Sequence, residues 1–295
     1  MRAIGFFFVC LIWWSFLACG GADEPPTSAV EEFDPNQDRP LPVGLVRLFG
    51  GVEMVRVPAG HFTMGMERGP ADQQPAREVY LSAFYIDRFE VTNAQYFRFW
   101  EAPDGGNRQR YTPASHGSKD RIGDWPDRAE TKPNFPAVGI NWFDAAAYCA
   151  WRGTRLPTEA EWEKTARGDE AREPYPWNKG LNGSRANFRD GDDGYDNTLA
   201  PVGNYPEGVS FYGAMDLVGN VWEWCADYYD AEYYKVSATI GPTGPEQGKF
   251  RILRGGSWRT AAGQDPNKLS ITYRSWSDPT GATDGWGVRC ARDVN

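Results

Sequence analysis

Apolar and polar residues alternate in the first clearly patterned stretch of the chain, VEMVRVP at residues 52–58. Such alternation is typical of a half-buried strand, and Pro58 predicts its end because proline has no amide donor. The next segment, AGHFTMG, predicts a turn into a second short strand. Residues 79–92, VYLSAFYIDRFEVT, alternate again and predict a further strand.

Later segments change to a helical spacing of apolar residues. Thr92 and Gln95 form a capping-box pattern, which predicts that TNAQYFRFW begins a helix. Residues 102–135 are polar and rich in Gly and Pro, so they predict a long surface loop. The segment NWFDAAAYCAWRG predicts a second helix over residues 142–151, which Gly153 ends.

A third helix is predicted in PTEAEWEKTARG, where Thr158 and Glu161 form another capping box and Gly168 is the C-terminal glycine. The neighbouring acids Glu159 and Glu163 lie near its start, where negative charge favours the helix dipole. Beyond this helix the pattern predicts only short strands and loops. The chain therefore predicts an α+β fold with few helices.

The amino-acid composition limits the classes of protein to which this chain can belong. Aromatic residues make up 15% of the 295 residues, so a large core can be built, whereas 33 Gly and 22 Pro indicate many turns. The formal net charge of −9 argues against nucleic-acid binding, which usually requires a basic face. One domain over residues 46–295 is the simplest organisation.

The beginning of the chain has the pattern of an export signal. Arg2 precedes an almost wholly apolar run at residues 3–18, which is short for a membrane span but typical of a signal peptide. The run ends in Leu-Ala-Cys, which resembles a bacterial lipobox with Cys19 as the lipidated residue. We expect export with lipid anchoring to a bacterial membrane, on its periplasmic or cell-surface face; the alternative is an ordinary signal peptide. Residues 20–45, rich in Pro and acids, predict a flexible tether.

Several blocks resemble one known family in order and spacing. They are VPAGHFTMG, FEVTNAQYFRF, FPAVGINWFDAAAYCAWRGTRLPTEAEWEKTARG, YPWN, APVGNYPEGVSFYGAMDLVGNVWEWCAD and ILRGGSW followed by GWGVRCAR. The chain resembles the formylglycine-generating enzymes, or sulfatase-modifying factors. The resemblance implies an irregular C-type-lectin-like α+β fold with few helices, short antiparallel strands and long loops.

One departure from this family bears on function. Members that oxidise a sulfatase cysteine to formylglycine carry two cysteines after the GGS motif, and a thiolate pair suits the soft ion Cu(I). Here those positions fall on or near Thr260 and Asp265. We therefore expect no copper. The chain has only two histidines, His61 and His116, so a three-histidine iron site cannot be assembled.

The resemblance also implies a structural disulfide between Cys149 and Cys290. The alternative is that both are buried free thiols. Cys225 would then be a buried apolar residue.

Structural Ca²⁺ is implied at two sites, for which the alternative is a solvated acidic loop. Oxygen donors, some of them backbone carbonyls, are the ligands that Ca²⁺ uses. The first site would use Asn187, Phe188, Asp193 and Tyr195. The second would use Asp216, Gly219, Val221 and Glu223.

The same family builds a substrate groove, and its positions here include tryptophan and arginine, which are common binding anchors. The alternative is that the tryptophans fill the core. The predicted groove residues are Ser257, Trp258, Thr260, Asp265, Arg274, Trp276 and Trp286.

These observations favour a binding module, anchored by lipid, that presents its groove to a protein, peptide or glycan of the cell envelope. A second hypothesis is a tailoring enzyme of the envelope that works without the copper pair. Acid–base residues such as Asp265, Asp278 or Glu223 would then act near the groove. The third hypothesis, a formylglycine-generating oxidase, conflicts with the missing cysteines.

Overall fold

The computed structural model describes residues 44–103, 125–168, 174–177, 179–195, 197–263 and 266–294. Short strands, few helices and long loops make up this part, as the α+β expectation required. The strands are β1 (Val46–Phe49), β2 (Val52–Val57), β3 (Gly60–Met64), β4 (Arg77–Leu81), β5 (Phe84–Asp87), β6 (Trp222–Tyr228), β7 (Arg251–Arg254), β8 (Ser275–Ser277), β9 (Trp286–Gly287) and β10 (Ala291–Asp293). The helices are α1 (Asn93–Glu101), α2 (Trp125–Thr131), α3 (Trp142–Trp151), α4 (Glu159–Arg167) and α5 (Tyr233–Val236).

Two four-stranded sheets and one hairpin carry the fold. The first sheet has the order β1-β2-β5-β10 and is antiparallel throughout, so the last strand, β10, pairs with β5 from the first third of the chain. Strands β3 and β4 form a separate antiparallel hairpin. The second four-stranded sheet has the order β8-β7-β6-β9, in which only the pair of β6 and β9 is parallel.

The structure corrects three predicted elements. Residues 79–92 form two strands instead of one: β4 ends at Leu81, and β5 joins a different sheet and ends at Asp87. A change of sheet leaves the alternation almost intact, so the pattern did not show the break. Helix α2 lies within the predicted loop, of which residues 104–124 fall outside the described part. The short helix α5 lies in the region where only strands and loops were predicted, and at four residues it is too short for a periodic signal.

The three long helices begin where the sequence predicted, because their caps are encoded locally. Thr92 and Thr158 each accept the amide of the third helical residue, which completes both capping boxes. Helix α3 has a third capping box between Asn141 and Asp144, which the sequence analysis missed although the Asn–Asp spacing signals it. The acids of α4 require a correction, given below, because they are buried.

Two clusters of buried apolar side chains form the core. One packs the first sheet and the hairpin against α4, and the other packs α1 and α3 against the second sheet. The predicted disulfide between Cys149 of α3 and Cys290, just before β10, is present in the second cluster. Cys225, also predicted to be buried, has no accessible surface. No helix in the described part of the chain has the length and apolarity required to cross a bilayer.

Candidate functional site

An open groove of about 740 Å³ lies at one end of the second four-stranded sheet. Residues that precede or begin β6, β8 and β9 line it, together with the turn that follows β7. Aromatic and polar side chains alternate around its wall. The lining residues are Trp222, Ser257, Arg259, Thr260, Ala261, Lys268, Tyr273, Arg274, Ser275, Trp276, Thr283, Asp284, Gly285 and Trp286.

The part of the wall that follows β7 is a hydrogen-bonded turn. Thr260 donates its backbone N–H to the Ser257 carbonyl at 2.8 Å, and its side-chain oxygen accepts the Ser257 N–H at 3.1 Å. The Thr260 carbonyl in turn accepts the amide of Arg189 at 3.0 Å. The turn is therefore fixed from within and is also joined to the loop around residue 189.

An ion pair closes one side of the groove. Arg259 donates to both carboxylate oxygens of Asp284, and its guanidinium carbon lies 4.2 Å from the ring centre of Trp258. The Trp258 indole donates to the Asp284 carbonyl at 3.1 Å. Trp258 therefore supports the rim from behind and, unlike the other described residues predicted for the groove, is not part of its lining.

The structure gives Arg274 a different role from the predicted one. Its guanidinium donates to both oxygens of Glu159 and to the carbonyls of Asp72 and Asp230. Only 2% of the residue is exposed, so it holds the groove wall in place and has little capacity to contact a ligand. Trp276 is 45% exposed and stacks on Tyr229, with the ring centres 5.4 Å apart.

A buried ionic network supports the groove from behind. Arg254, at the end of β7, donates to Glu159 at 3.0 Å and to Glu163 at 2.8 Å, and both carboxylates belong to α4. Burial raises the pKa of Glu163, but the charges of Arg254 and Arg167 outweigh burial and lower it overall. These two acids of α4 are thus core ion-pair partners, whereas the sequence analysis assigned them to the helix dipole.

Comparison with known proteins places this geometry in a family. The family model that describes the sulfatase-modifying factor enzyme 1-like domain matches residues 48–294 of this chain. The chain belongs to the sulfatase-modifying factor family. Its fold is accordingly the C-type-lectin-like α+β fold of the formylglycine-generating enzymes.

Relatives within the family differ in size and in stated activity. The formylglycine-generating enzyme of Streptomyces coelicolor is 35% identical over 82% of this chain and 89% of its own length. The inactive Cα-formylglycine-generating enzyme 2 of Mus musculus is 35% identical over 81% and 85%, respectively. The protein named serine/threonine-protein kinase pkn1 of Chlamydia caviae is 34% identical over 92% of this chain, which spans only 42% of that relative's length.

A solved structure supports the same assignment. PvdO from Pseudomonas aeruginosa has a TM-score of 0.66 and 27% sequence identity, and the match covers 86% of this chain and all of PvdO.

By the resemblance, the copper cysteines of the family would fall on or near Thr260 and Asp265 in this chain. The side-chain oxygen of Thr260 accepts a hydrogen bond from the Ser257 amide, and Asp265 lies outside the described residues. Cys149 and Cys290 are joined to each other. Burial raises the pKa of the remaining thiol, Cys225, well above its ordinary value. Within the described residues, no two free thiols are therefore available for a Cu(I) pair.

The first predicted calcium site has a suitable set of oxygen atoms. The side-chain oxygen of Asn187 is buried and has no hydrogen-bond donor. Asp193, in the same loop, accepts the amides of Phe188 and Tyr195 at 3.0 and 2.9 Å, so each of its oxygens retains a lone pair. An unpartnered buried oxygen beside a carboxylate fits a hard cation.

The side chains of the second predicted calcium site are less suited to bind Ca²⁺ than those of the first. Burial, with a smaller contribution from the charge of Glu223, raises the pKa of Asp216 to about 6. Burial and the charges of Asp216 and Glu223 likewise raise the pKa of Glu90, a residue absent from the predicted set. The Glu223 carboxylate, however, already accepts three hydrogen bonds from Trp162 and Arg289. In the described residues no three His, Cys, Asp or Glu side chains form a metal-binding group.

Some predicted residues lie apart from the groove. Asp278 is exposed and outside the lining, and Glu223 is buried under Arg289, so these acids are poorly placed for the tailoring chemistry of the second hypothesis. His61 lies on the β3–β4 hairpin, 3.2 Å from Glu78. His116 and Cys19 are outside the described residues.

Nine residues of the groove lining were not predicted from the sequence, and five of them carry aromatic or charged side chains. Trp222 and Tyr273 contact each other with ring centres 5.9 Å apart, and Arg259, Lys268 and Asp284 contribute the charges. Trp222 belongs to the GNVWEW block, in which Gly219, Val221 and Glu223 were assigned to calcium and Trp222 was given no role. Alternation within that short block was the only signal that could have placed it.

Proposed function

We propose that this chain is a ligand-binding module of the envelope whose groove takes a protein or peptide, and that it does not act as a copper oxidase. The observation that carries the proposal is the turn at Ser257–Thr260. This turn lines the open groove, and the hydroxyl oxygen of Thr260, which lies on or near the position where the resemblance expects the first copper cysteine, accepts a hydrogen bond. Soft Cu(I) has little affinity for such a ligand. The inactive Cα-formylglycine-generating enzyme 2, of which the match covers 85%, supports a non-catalytic use of the fold.

An oxidation assay separates a catalyst from a scaffold. A sulfatase-derived peptide with the family's cysteine motif is incubated with the full chain, Cu(I) and oxygen, beside a copper-loaded formylglycine-generating enzyme. We expect the peptide mass to remain unchanged with this chain. An aldehyde product would contradict the proposal.

A groove-filling variant tests the binding role directly. Ser275→Trp places a large side chain within the lining, whereas Thr239→Trp alters an exposed position elsewhere. Cross-linking in intact cells, followed by mass spectrometry, should recover a partner with the wild type and the Thr239 variant. With the Ser275 variant, the amount of recovered partner should fall at least about tenfold, which corresponds to a loss of ~1.4 kcal/mol in binding free energy. Equal recovery of the partner with both variants would show that the groove is not the binding site.

Export and lipid anchoring belong to the same proposal. The apolar run before Cys19 supports them, and a disulfide is typical of proteins that fold in an oxidising compartment. We expect an alkyne-labelled palmitate to be incorporated in cells and Cys19→Ala to abolish the label and release the protein from membranes. Cys10→Ala is the matched control, because Cys10 lies within the predicted signal peptide. Unchanged labelling of the Cys19 variant would contradict lipidation at Cys19 and would favour the alternative of an ordinary signal peptide.

We also propose a structural Ca²⁺ at the Asn187–Asp193 loop. This loop reaches the groove, because the amide of Arg189 donates to the carbonyl of Thr260 and Asn187 forms a bridge with Gly219. A cation there would compensate the unpartnered oxygen of Asn187 and hold the turn of the groove.

Calcium at about one hundred times its Kd should stabilise the fold by ~2.7 kcal/mol, or roughly 5–10 °C for a domain of this size. Asp193→Asn should remove most of this shift because it removes the charge of the candidate carboxylate. Asp192→Asn should retain it, since Asp192 is exposed and, like Asn, tolerates its positive φ of 51°. Differential scanning fluorimetry with calcium and with chelator measures both. A chelator without effect on the wild-type Tm would exclude the ion.

A further inference from the structure

Two arginines lie on either side of a tyrosine on one face of the first sheet. Arg56 of β2 and Arg292 of β10 are both register partners of Tyr85, which lies between them on β5. Directly opposed residues of antiparallel strands project to the same face, so the three side chains form a row across the sheet. Val55 and Ile86, which project to the other face, belong to the first core cluster. The row therefore lies on the side of the sheet away from that core.

Neither arginine has a direct counter-charge. In the part of the chain that the structure describes, all ion pairs join other residues. The Nε of Arg56 is buried and has no hydrogen-bond acceptor, whereas its terminal nitrogens retain accessible surface. The guanidinium carbon of Arg292 lies 4.9 Å from the ring centre of Phe49, an uncharged neighbour. Two unpaired positive charges thus flank Tyr85 in a chain whose formal net charge is −9.

The acidic residues of these strands do not compensate the two arginines. Asp87, two positions after Tyr85 and on the same face, accepts two hydrogen bonds from Arg152. Glu53 of β2 and Asp293 of β10 each lie an odd number of positions from the arginine of their own strand, so they project to the opposite face. Each of them forms an ion pair with an arginine elsewhere. The row is therefore a local concentration of positive charge.

Aromatic rings surround the middle of the row. Tyr85 and Phe49 meet edge to face with their ring centres 4.9 Å apart, and Arg47 of β1 lies over Tyr85 at 5.7 Å. The hydroxyl of Tyr85 retains accessible surface and forms no hydrogen bond within the described residues. A largely buried phenol usually has an acceptor. The row thus presents three donor side chains beside apolar rings, where attraction to an anion is stronger than in water.

The positions of these donors indicate the shape of the ligand. Strands in a sheet are about 4.8 Å apart, so the Cα atoms of Arg56 and Arg292 are separated by roughly 10 Å. Guanidinium groups bind carboxylate and phosphate through two parallel hydrogen bonds. One arginine therefore occupies a planar carboxylate, whereas the tetrahedral oxygens of a phosphate can accept from two arginines and a phenol. A phosphate monoester also carries up to two negative charges near neutral pH, which match the two arginines.

We infer that Arg56, Tyr85 and Arg292 form a binding site for a phosphate ester on this face of the first sheet. None of the three residues lines the groove, so the site is additional to the proposed function and does not depend on it. Two sources share the chemistry: a soluble phosphorylated molecule and the headgroup of an anionic phospholipid. Both can approach, because the site lies on the face of a sheet.

The test uses the full chain in maltoside micelles, which contain no phosphate, and titrates it with glycerol 3-phosphate in a calorimeter. Arg56→Gln and Arg292→Gln each remove one charge and keep a polar side chain. We expect each to weaken binding at least about fivefold and the double variant at least about twentyfold, and added salt to weaken the wild type. Arg68→Gln changes an exposed arginine outside the sheet and should bind as the wild type does.

Stability measurements separate a binding role from a structural one. Because neither arginine has an ion pair to lose, the Tm of the ligand-free double variant should stay within about 2 °C of the wild type. Glycerol 3-phosphate should raise the Tm of the wild type and of the Arg68 variant, and it should leave the double variant unchanged. An equal rise in the double variant would overturn the inference.

A second arm identifies the source of the phosphate. The titration is repeated in maltoside micelles that contain phosphatidylglycerol. A severalfold fall in affinity for glycerol 3-phosphate, larger in the wild type than in the double variant, would identify the lipid headgroup as ligand, and unchanged affinity would identify a soluble ester. Both results support the site. Acetate bound as tightly as glycerol 3-phosphate would overturn it. So would a wild type that neither binds glycerol 3-phosphate nor changes its Tm with phosphatidylglycerol, and this outcome requires no variant to fold.

Discussion

Removal of the Cys149–Cys290 disulfide is expected to produce the largest loss of stability of any small change in this chain. The bridge joins residues 141 positions apart, with their Cα atoms 5.6 Å apart. In the chain-entropy model, a loop of that length corresponds to ~5 kcal/mol, because the cross-link restricts the unfolded chain. The double variant Cys149→Ala/Cys290→Ala should therefore lose roughly 10–20 °C of Tm.

A buried hydrogen-bond network around Asp87 lies beside the disulfide and adds to the stability that the disulfide provides. The Asp87 amide donates to the Cys290 carbonyl, and its side chain accepts the Cys290 amide and two hydrogen bonds from Arg152, the C-cap residue of α3. The disulfide thus fixes α3 and the start of β10 on the same buried carboxylate. Loss of the bridge would loosen both elements from it.

Thermal unfolding by circular dichroism, with and without reductant, measures the change. Cys225→Ala is the matched control, since it removes a buried thiol without removing a cross-link. It should cost ~1 kcal/mol, the typical loss for a point substitution. A reduced wild type with an unchanged Tm would show that the cross-link contributes nothing.

The sequence predicted the long helices and the family because their signals are local. Capping residues such as Thr92 and Thr158 act within four positions, and the family blocks are contiguous. The disulfide also followed from the resemblance, since both cysteines lie in such blocks. The predicted calcium ligands and the lipidation remain predictions.

What the sequence could not show was the contact between distant blocks. Arg274 was expected in the groove because arginine often binds ligands, yet Glu159, 115 positions earlier, binds its guanidinium. Glu159 itself was assigned to a helix terminus, although it is only 1% exposed. Pairing of two charges depends on which chain segments meet, and neither periodicity nor capping patterns contain that information.

The second large prediction concerns this pairing of family blocks. Arg254 of the RGGSW block donates to Glu159 and Glu163 of the TEAEWE block, and all three side chains are at most 2% exposed. Trp162 of the same helix donates to Glu223 of the GNVWEW block at 2.7 Å. These motifs therefore meet in the core behind the groove, where their charges compensate each other directly.

Arg254→Met should lower the free energy of unfolding by ~3–5 kcal/mol, because it removes the largest counter-charge of the buried Glu163 and one of the two arginines that bind Glu159. Lys235→Ala breaks an ion pair with Glu232 at the surface and should cost less than ~0.5 kcal/mol. Urea unfolding measures both. A double variant, Arg254→Met/Glu163→Gln, should recover part of the loss, since it removes one of the uncompensated charges. Equal losses for Arg254→Met and Lys235→Ala would show that the network contributes packing alone, and the groove would then not depend on its charges.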